Sequence, residues 1–189
     1  MGKVNNNPIL QHVSGMVGDT IVLRKVRGQM QLANRPKGRS GKVSERQAGI
    51  QTKFQEAAQY ASRQVSQPAS KELYESGITE KKHTAYVVAV SDYLNAPVVH
   101  FIEAIEYKGV PGDRIIVKAT DDFMVTSVKL AILDANGTLI EEGEAGPDLM
   151  QVNLYDYTVT TANPLLPGTK IRAVAFDRPG NKGVLEITL

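Results

Sequence analysis

The chain has three histidines, His12, His83 and His100, and no cysteine. The histidines stand in three separate segments, and none has the spacing that sets two imidazoles on one helix face. Zinc ligation, a charge-relay triad and thiol chemistry are therefore not expected. No serine occupies a Gly-x-Ser-x-Gly elbow. The run Arg39-Ser40-Gly41-Lys42-Val43-Ser44 has the outline of the end of a phosphate loop. A working loop needs glycine five residues before Gly41 and a hydroxyl directly after Lys42, and here those positions hold Pro36 and Val43. Asp121, Asp122, Glu141, Glu142, Glu144, Asp148 and Asp177 fall at expected strand ends or loops. Converging carboxylates can bind calcium, but aspartate also serves turns by accepting from nearby backbone amides. The turn role is the expectation, with no metal, no cofactor, no small-molecule substrate and no enzymatic activity.

Charge is the clearest chemical signal. Arg24, Lys25, Arg27, Arg35, Lys37, Arg39, Lys42 and Arg46 share a window that contains one acid, Glu45. Such a run can neutralise phosphates. It has no interleaved aromatic on which bases would stack, and it matches no standard nucleic-acid reader. Binding of nucleic acid is thus the alternative to a basic arm that grips an acidic protein neighbour. The candidate interaction arm is Ile21, Leu23, Arg24, Lys25, Arg27, Arg35, Lys37, Arg39 and Lys42. Residues 1–95 hold 14 Lys and Arg against 7 Asp and Glu, a net +7, and residues 96–189 hold 8 against 13, a net −5. A basic front and an acidic back permit head-to-tail contact between copies.

The elements that must carry these residues divide the chain. Residues 8–34 read as two or three short strands, with turns at Gly15, at Gly18-Asp19 and at Arg27-Gly28. Ile21, Leu23 and Lys25 share one face, and Val22, Arg24 and Val26 the other. Neither face is cleanly polar, and a lone hairpin is marginal in water. The ribbon is therefore expected to need a sheet or a neighbouring subunit to complete it. Residues 34–43 are basic, rich in Gly and Pro, and free of periodicity, which makes them a loop.

Ser44-Glu-Arg-Gln47 offers a capping box. The helix behind it carries Ile50, Phe54, Ala57, Ala58, Ala61 and Val65 as one apolar stripe. Ser66 and Pro68 interrupt it, and a short helix through Leu73 and Tyr74 ends near Gly77. Thr79 is the expected cap of a third helix containing Ala85, Tyr86, Val88, Ala89 and Leu94, stopped by Asn95-Ala-Pro97. From residue 98 the texture is β-branched and alternating. Strands are expected near 101–107, 114–119, 126–134, 138–142, 150–160, 169–177 and 184–188. Turn signals such as Asp134-Ala-Asn-Gly137 and Arg178-Pro-Gly-Asn181 separate them. Seven short strands at this spacing predict an immunoglobulin-like sandwich. With no Cys and no Trp, the antibody-type inter-sheet disulfide and its Trp are absent. Ile115, Val117 and Ala119, and Ile171, Ala173 and Ala175, are its expected inward faces.

Ser14-Gly15-Met16-Val17-Gly18, Arg27-Gly28, Arg35-Pro36 and the helix from Glu45-Arg-Gln47 through Phe54 form a layout. It resembles that of a group of uncharacterised bacterial and phage-associated small proteins. The match covers about a third of the chain. The back half is similar in pattern to immunoglobulin-like domains of phage virions and of bacterial surface or injection machines, a likeness of fold rather than of site.

The expected fold is α+β: a short N-terminal β-ribbon and basic arm (1–43), three helices (44–95) and a C-terminal immunoglobulin-like β-sandwich (98–189). The expected function is a non-enzymatic structural subunit of a virion, tail, injection-type particle or filament. Its partners would be further copies or other structural subunits. The alternatives are a protein- or carbohydrate-binding module that uses sandwich loops, and a nucleic-acid-associated protein. No run of about 20 apolar residues is present to span a membrane. The start of the chain lacks a signal-peptide pattern, so the expected location is the cytoplasm or a particle assembled there.

Overall fold

The computed structural model describes residues 2–4, 13–26, 29–36, 38 and 43–189. The chain forms two compact units, Met1–Ser44 and Glu45–Leu189.

In the first unit, β1 (Gly2–Val4), β2 (Gly15–Val17), β3 (Ile21–Val26) and β4 (Gln29–Asn34) form an antiparallel sheet in the order β1-β4-β3-β2. Leu23 lies opposite Leu32, Lys25 opposite Met30 and Ile21 opposite Asn34. Because paired residues share a face, Ile21, Leu23, Met30 and Leu32 make one apolar surface. Leu23 and Met30 are buried on it. Val22, Arg24 and Val26 occupy the other face with Ala33, Gln31 and Gln29. The strands therefore find partners within this unit, so of the two expected ways to complete the ribbon, a sheet or a neighbouring subunit, a sheet is present, with four strands where two or three were expected. Pairing of β1 and β2 on the flanks of the β3–β4 hairpin supplies the missing ladder bonds. The expected Arg27-Gly28 turn lies outside the described residues.

The second unit begins with α1 (Glu45–Ser66), α2 (Pro68–Glu75) and α3 (Ala85–Leu94). The break after α1 falls where Gln67 turns extended (φ −98°, ψ 118°) and Pro68 opens α2 without an amide to orphan. The cap of α3 is Thr84, whose hydroxyl accepts from the Val87 amide at 3.3 Å. Thr79, expected in that role, instead accepts from the Lys82 amide in the preceding turn. Both threonines stand three residues before an amide they can reach, but only Thr84 is followed directly by the apolar run.

The buried part of the α1 stripe is Ala57 and Ala61, and Ala61 packs with Tyr74, Ala85, Val88 and Ala89. Ile50 and Phe54 extend the stripe in sequence but are 62% and 54% exposed. Length explains this. α1 has 22 residues and α3 has 10, and at about 1.5 Å per residue the shorter helix covers less than half of the longer.

Seven strands follow: β5 (Val98–Glu103), β6 (Arg114–Thr120), β7 (Val125–Leu133), β8 (Leu139–Pro147), β9 (Leu154–Thr158), β10 (Lys170–Asp177) and β11 (Lys182–Thr188). They are hydrogen-bonded in the order β11-β10-β7-β8-β9-β6-β5. β8 pairs with β7 up to Ala145, then with β9 through Gly146 and Pro147. That switch lets the ribbon of strands fold into two layers, β5-β6-β9 and β11-β10-β7-β8. Ile115, Val117 and Ala119 from one layer meet Val128, Leu130, Ile132, Ile171, Ala173 and Ala175 from the other, all fully buried. The alternation seen in the sequence thus identified the inward residues. At Gly143 an added Cβ would lie 2.7 Å from the Tyr157 ring, so β8 needs glycine there to pass the aromatic.

Three strands differ from expectation. β5 starts at Val98 and ends at Glu103, because the Ala104 carbonyl accepts the Tyr107 amide in a turn. β8 runs on to Pro147, where an end near residue 142 was expected. β9 starts at Leu154 rather than near 150, because Asp148 folds the preceding residues into a loop.

Candidate functional site

Within the first unit, Ile21, Leu23, Arg24 and Lys25 of the expected arm lie on β3. Leu23 is buried, Ile21 half-buried and Lys25 exposed. Arg35 follows β4 and folds back. Its guanidinium pairs with Asp19 at 2.8 Å and its amide donates to Thr20 O at 2.7 Å. This exposed pair contributes little energy, but it gives one of the arm's cations a carboxylate. Arg27, Lys37, Arg39 and Lys42 lie outside the described residues, as does His12. His83 is exposed before α3, and His100 on β5 shares a hydrogen bond with the Thr120 hydroxyl at 2.6 Å. No group of three or more His, Asp or Glu is placed to hold a metal among the described residues.

Three of the seven suspect carboxylates, Asp121, Asp148 and Asp177, hold turns, and so does Asp134. Asp134 Oδ1 accepts from Asn136 and Thr138, and Asp148 Oδ1 from Met150 and Gln151. Asp121 Oδ2 accepts from Phe123 and Met124, and Asp177 Oδ1 from Gly180 and Asn181. Glu141 is buried and ties the segment after β9 to β8. It accepts from the Tyr157 hydroxyl, the Thr160 amide and hydroxyl, and the Thr161 amide, all at 2.7–3.0 Å. Burial works to raise its pKa, but these donors outweigh burial and hold it below the usual carboxylate value.

Two features of the second unit are not explained by turns. The first is a buried polar joint between the helices and two loops of the sandwich. Tyr60 and Tyr74 share a hydroxyl–hydroxyl bond at 2.8 Å, and Tyr74 donates to Asp92 Oδ2 at 2.6 Å. Phe123, in the β6–β7 loop, stacks on Tyr74 with centroids 4.7 Å apart. The Arg178 guanidinium, in the β10–β11 loop, lies 5.1 Å from the centre of the same ring. Asn181 donates to the Tyr93 carbonyl and to Asp177. Asp122 binds Lys82, Ser91 and Asn95. Asp92 Oδ1 and Asp121 Oδ1 are both buried with no protein partner. The two carboxyls are within reach of one another. Two bare acceptors cannot satisfy each other, and a single proton held on Asp92 would. Burial first, then the charges of Asp121 and Asp177, push Asp92 up to about 7 against the opposing bond from Tyr74. The joint can therefore take up and release a proton near neutrality.

The second feature lies on the surface. The loop 148–153 between β8 and β9 exposes Leu149 at 96%, Met150 at 92% and Val152 at 87%. Asp148 fixes its turn and Asn153 takes a left-handed φ of 66°. Adjacent exposed apolar side chains of this kind mark interaction sites. Sequence reasoning missed them by counting residues 150–160 as a strand. The available signal was Pro147-Asp148, a turn opener, followed by apolar residues that do not alternate. Phe123 of the β6–β7 loop is packed on Tyr74, and Tyr157 on β9 is buried, so neither aromatic is exposed for binding.

A depression of about 490 Å³ lies on the outer face of the β11-β10-β7-β8 layer. Val174, Val184 and Phe176 form part of its lining, with Lys129 and Lys182 at 6.0 and 5.3 Å from the Phe176 ring centre.

Comparison with known proteins leaves the reading to the site itself: no family profile matches the chain, and no curated protein matches it. No helix among the described residues is long and apolar enough to cross a membrane.

Proposed function

We propose that this protein is a non-enzymatic structural subunit of a larger assembly, such as a virion, tail, injection-type particle or filament. Its second unit is then an immunoglobulin-like sandwich capped by helices, and its N-terminal sheet is an anchor to a neighbour. The observation that carries the reading is the loop with Leu149, Met150 and Val152 each about nine-tenths exposed. Solvation of three neighbouring apolar side chains is unfavourable by roughly 25 cal/mol per Å², so the loop favours a form in which another protein covers it. The three-strand and four-strand layers joined by β8 support the immunoglobulin-like assignment. The N-terminal layout, which resembles that of phage-associated small proteins, supports a particle. A chain without cysteine suits a reducing compartment, so assembly belongs in the cytoplasm.

The test is light scattering and negative-stain electron microscopy on the full chain over a range of concentration and salt, beside a chain lacking residues 1–44. Rings, tubes or filaments that the shortened chain cannot form support the reading and the anchor. A monomer at every concentration, with no partner recovered, refutes it. The same exposed loop favours a second reading, a monomeric module that binds a different protein, and recovery of such a partner with no self-association would establish it.

A further inference from the structure

We propose that the loop 148–153 of one copy seats in the outer-face depression of the next, so that copies join head to tail. The inference rests on the assembly reading above and names its contact. Three observations converge on it. The loop supplies a knob: Leu149, Met150 and Val152 project free of the unit that carries them. The depression supplies a socket of about 490 Å³, within the range of pockets that enclose ligands, whose lining includes Val174, Phe176 and Val184, the last 58% exposed. No residue of the loop lines the socket of its own copy, so the socket is not filled from within.

Charge matches as well. Lys129 and Lys182 flank Phe176 and form no ion pair among the described residues. Asp148 sits at the base of the knob with Oδ1 committed to its turn, which leaves Oδ2 for an incoming ammonium. The socket lining also carries Glu142 and Arg172, the latter paired with Glu186, so three cations stand there against one lining acid, and an aliphatic knob with a carboxylate at its base fits this apolar, net basic socket. Knob and socket are different patches of one surface, so the contact is heterologous. It repeats into a ring if the rotation closes and a filament if it does not.

The experiment is sedimentation velocity over a concentration series on the full chain, on Met150→Asp and on Val184→Asp, with an equimolar mixture of the two variants as the deciding arm. Both substituted side chains are exposed, so both variants fold, and circular dichroism melts check this. Each variant alone should lose association by at least about 30-fold, the size of a central contact residue. The mixture should form a dimer and stop there, since one variant keeps its socket and the other its knob. As a second arm, Lys129→Glu combined with Lys182→Glu should weaken association while it leaves the Asp148 turn intact. Variants that associate like the wild type overturn this contact while the assembly reading stands. A mixture that stays monomeric overturns the head-to-tail geometry. A wild-type chain that never associates overturns both.

Discussion

Replacement of Asp92 by asparagine should make the protein more stable as pH rises. Asp92 is fully buried, accepts from the Tyr74 hydroxyl, and leaves Oδ1 bare beside Asp121. Its pKa moves from 3.8 to about 7 on folding. A carboxyl raised in the folded state favours the native form while protonated, so its stabilisation declines as pH climbs from the unfolded value through the folded one. Between pH 5 and pH 8 the folded form must be held against ionisation of a group that the unfolded chain already ionises freely. With those two pKa values, linkage gives a loss on the order of 2–3 kcal/mol in the wild type over this interval. Asparagine keeps an acceptor for Tyr74 and an N–H for Asp121, and it does not titrate. The stability gap between Asp92→Asn and wild type should therefore grow by about 2–3 kcal/mol from pH 5 to pH 8, or about 5–10 °C in melting temperature for a unit of this size. Urea melts of both proteins at four pH values, followed by circular dichroism, measure it. A gap that stays constant with pH, or that shrinks towards pH 8, would refute the shared-proton account of the joint.

Glu141 should behave in the opposite sense. Its carboxyl is held below its ordinary value, so its stabilisation is full above that value and lost as pH falls through the lowered one. Glu141→Gln should cost about 2 kcal/mol at pH 7, because the new NH₂ faces a backbone or hydroxyl donor, and the cost should fade towards pH 3 in the same melts. Gly143→Ala should destabilise by about 1–3 kcal/mol, since the added methyl meets the Tyr157 ring and hydroxyl at 2.7 and 2.8 Å. Phe54→Gln should change stability by less than about 0.5 kcal/mol despite its place in the apolar stripe, because the side chain is already half exposed. A larger loss in a calorimetric melt would mean that something covers α1 in solution.

Where one residue pattern has one physical outcome, the sequence was a good guide. Alternation in β6 and β10 placed Ile115, Val117, Ala119, Ile171, Ala173 and Ala175 inside, because a half-buried strand admits one register. Arg178-Pro-Gly-Asn181 read as a turn, and Gly180 takes a φ of 95°, as glycine at the third position of a type II turn does. Where the outcome depends on what lies opposite, the sequence was a poor guide. The α1 stripe names residues able to be buried, and only the length of α3 decides that Ala57 is covered and Phe54 is not. Capping strength alone did not distinguish Thr79 from Thr84. The polar joint was out of reach for a related reason. Tyr60, Tyr74, Asp92, Asp121 and Arg178 are separated by up to 118 positions, with no spacing that advertises them, and only the packing of helix against loop brings them together.

The strand directions explain why the loop 148–153 is the one left bare. β7 runs antiparallel to β8 and β10, and β9 antiparallel to β6 and β8. The β6–β7, β8–β9 and β10–β11 connections therefore all leave the same end of the sandwich. The helices occupy two of the three. Phe123 and Asp122 of the first bind Tyr74, Lys82 and Ser91. Arg178 and Asn181 of the last engage Tyr74 and the Tyr93 carbonyl. The middle connection leaves exposed the kind of apolar side chain that the first of the outer loops packs under a helix. An apolar residue in either outer loop packs under a helix and adds to folding stability, as Phe123 does. The same residue type in the middle loop has only another molecule to pack against. On this argument Leu149, Met150 and Val152 contribute to association rather than to folding. Aspartate at any one of them should leave the melting temperature within about 2 °C of wild type while it changes the sedimentation coefficient at high concentration. A melt lowered by 10 °C would instead mean that the loop packs against its own unit.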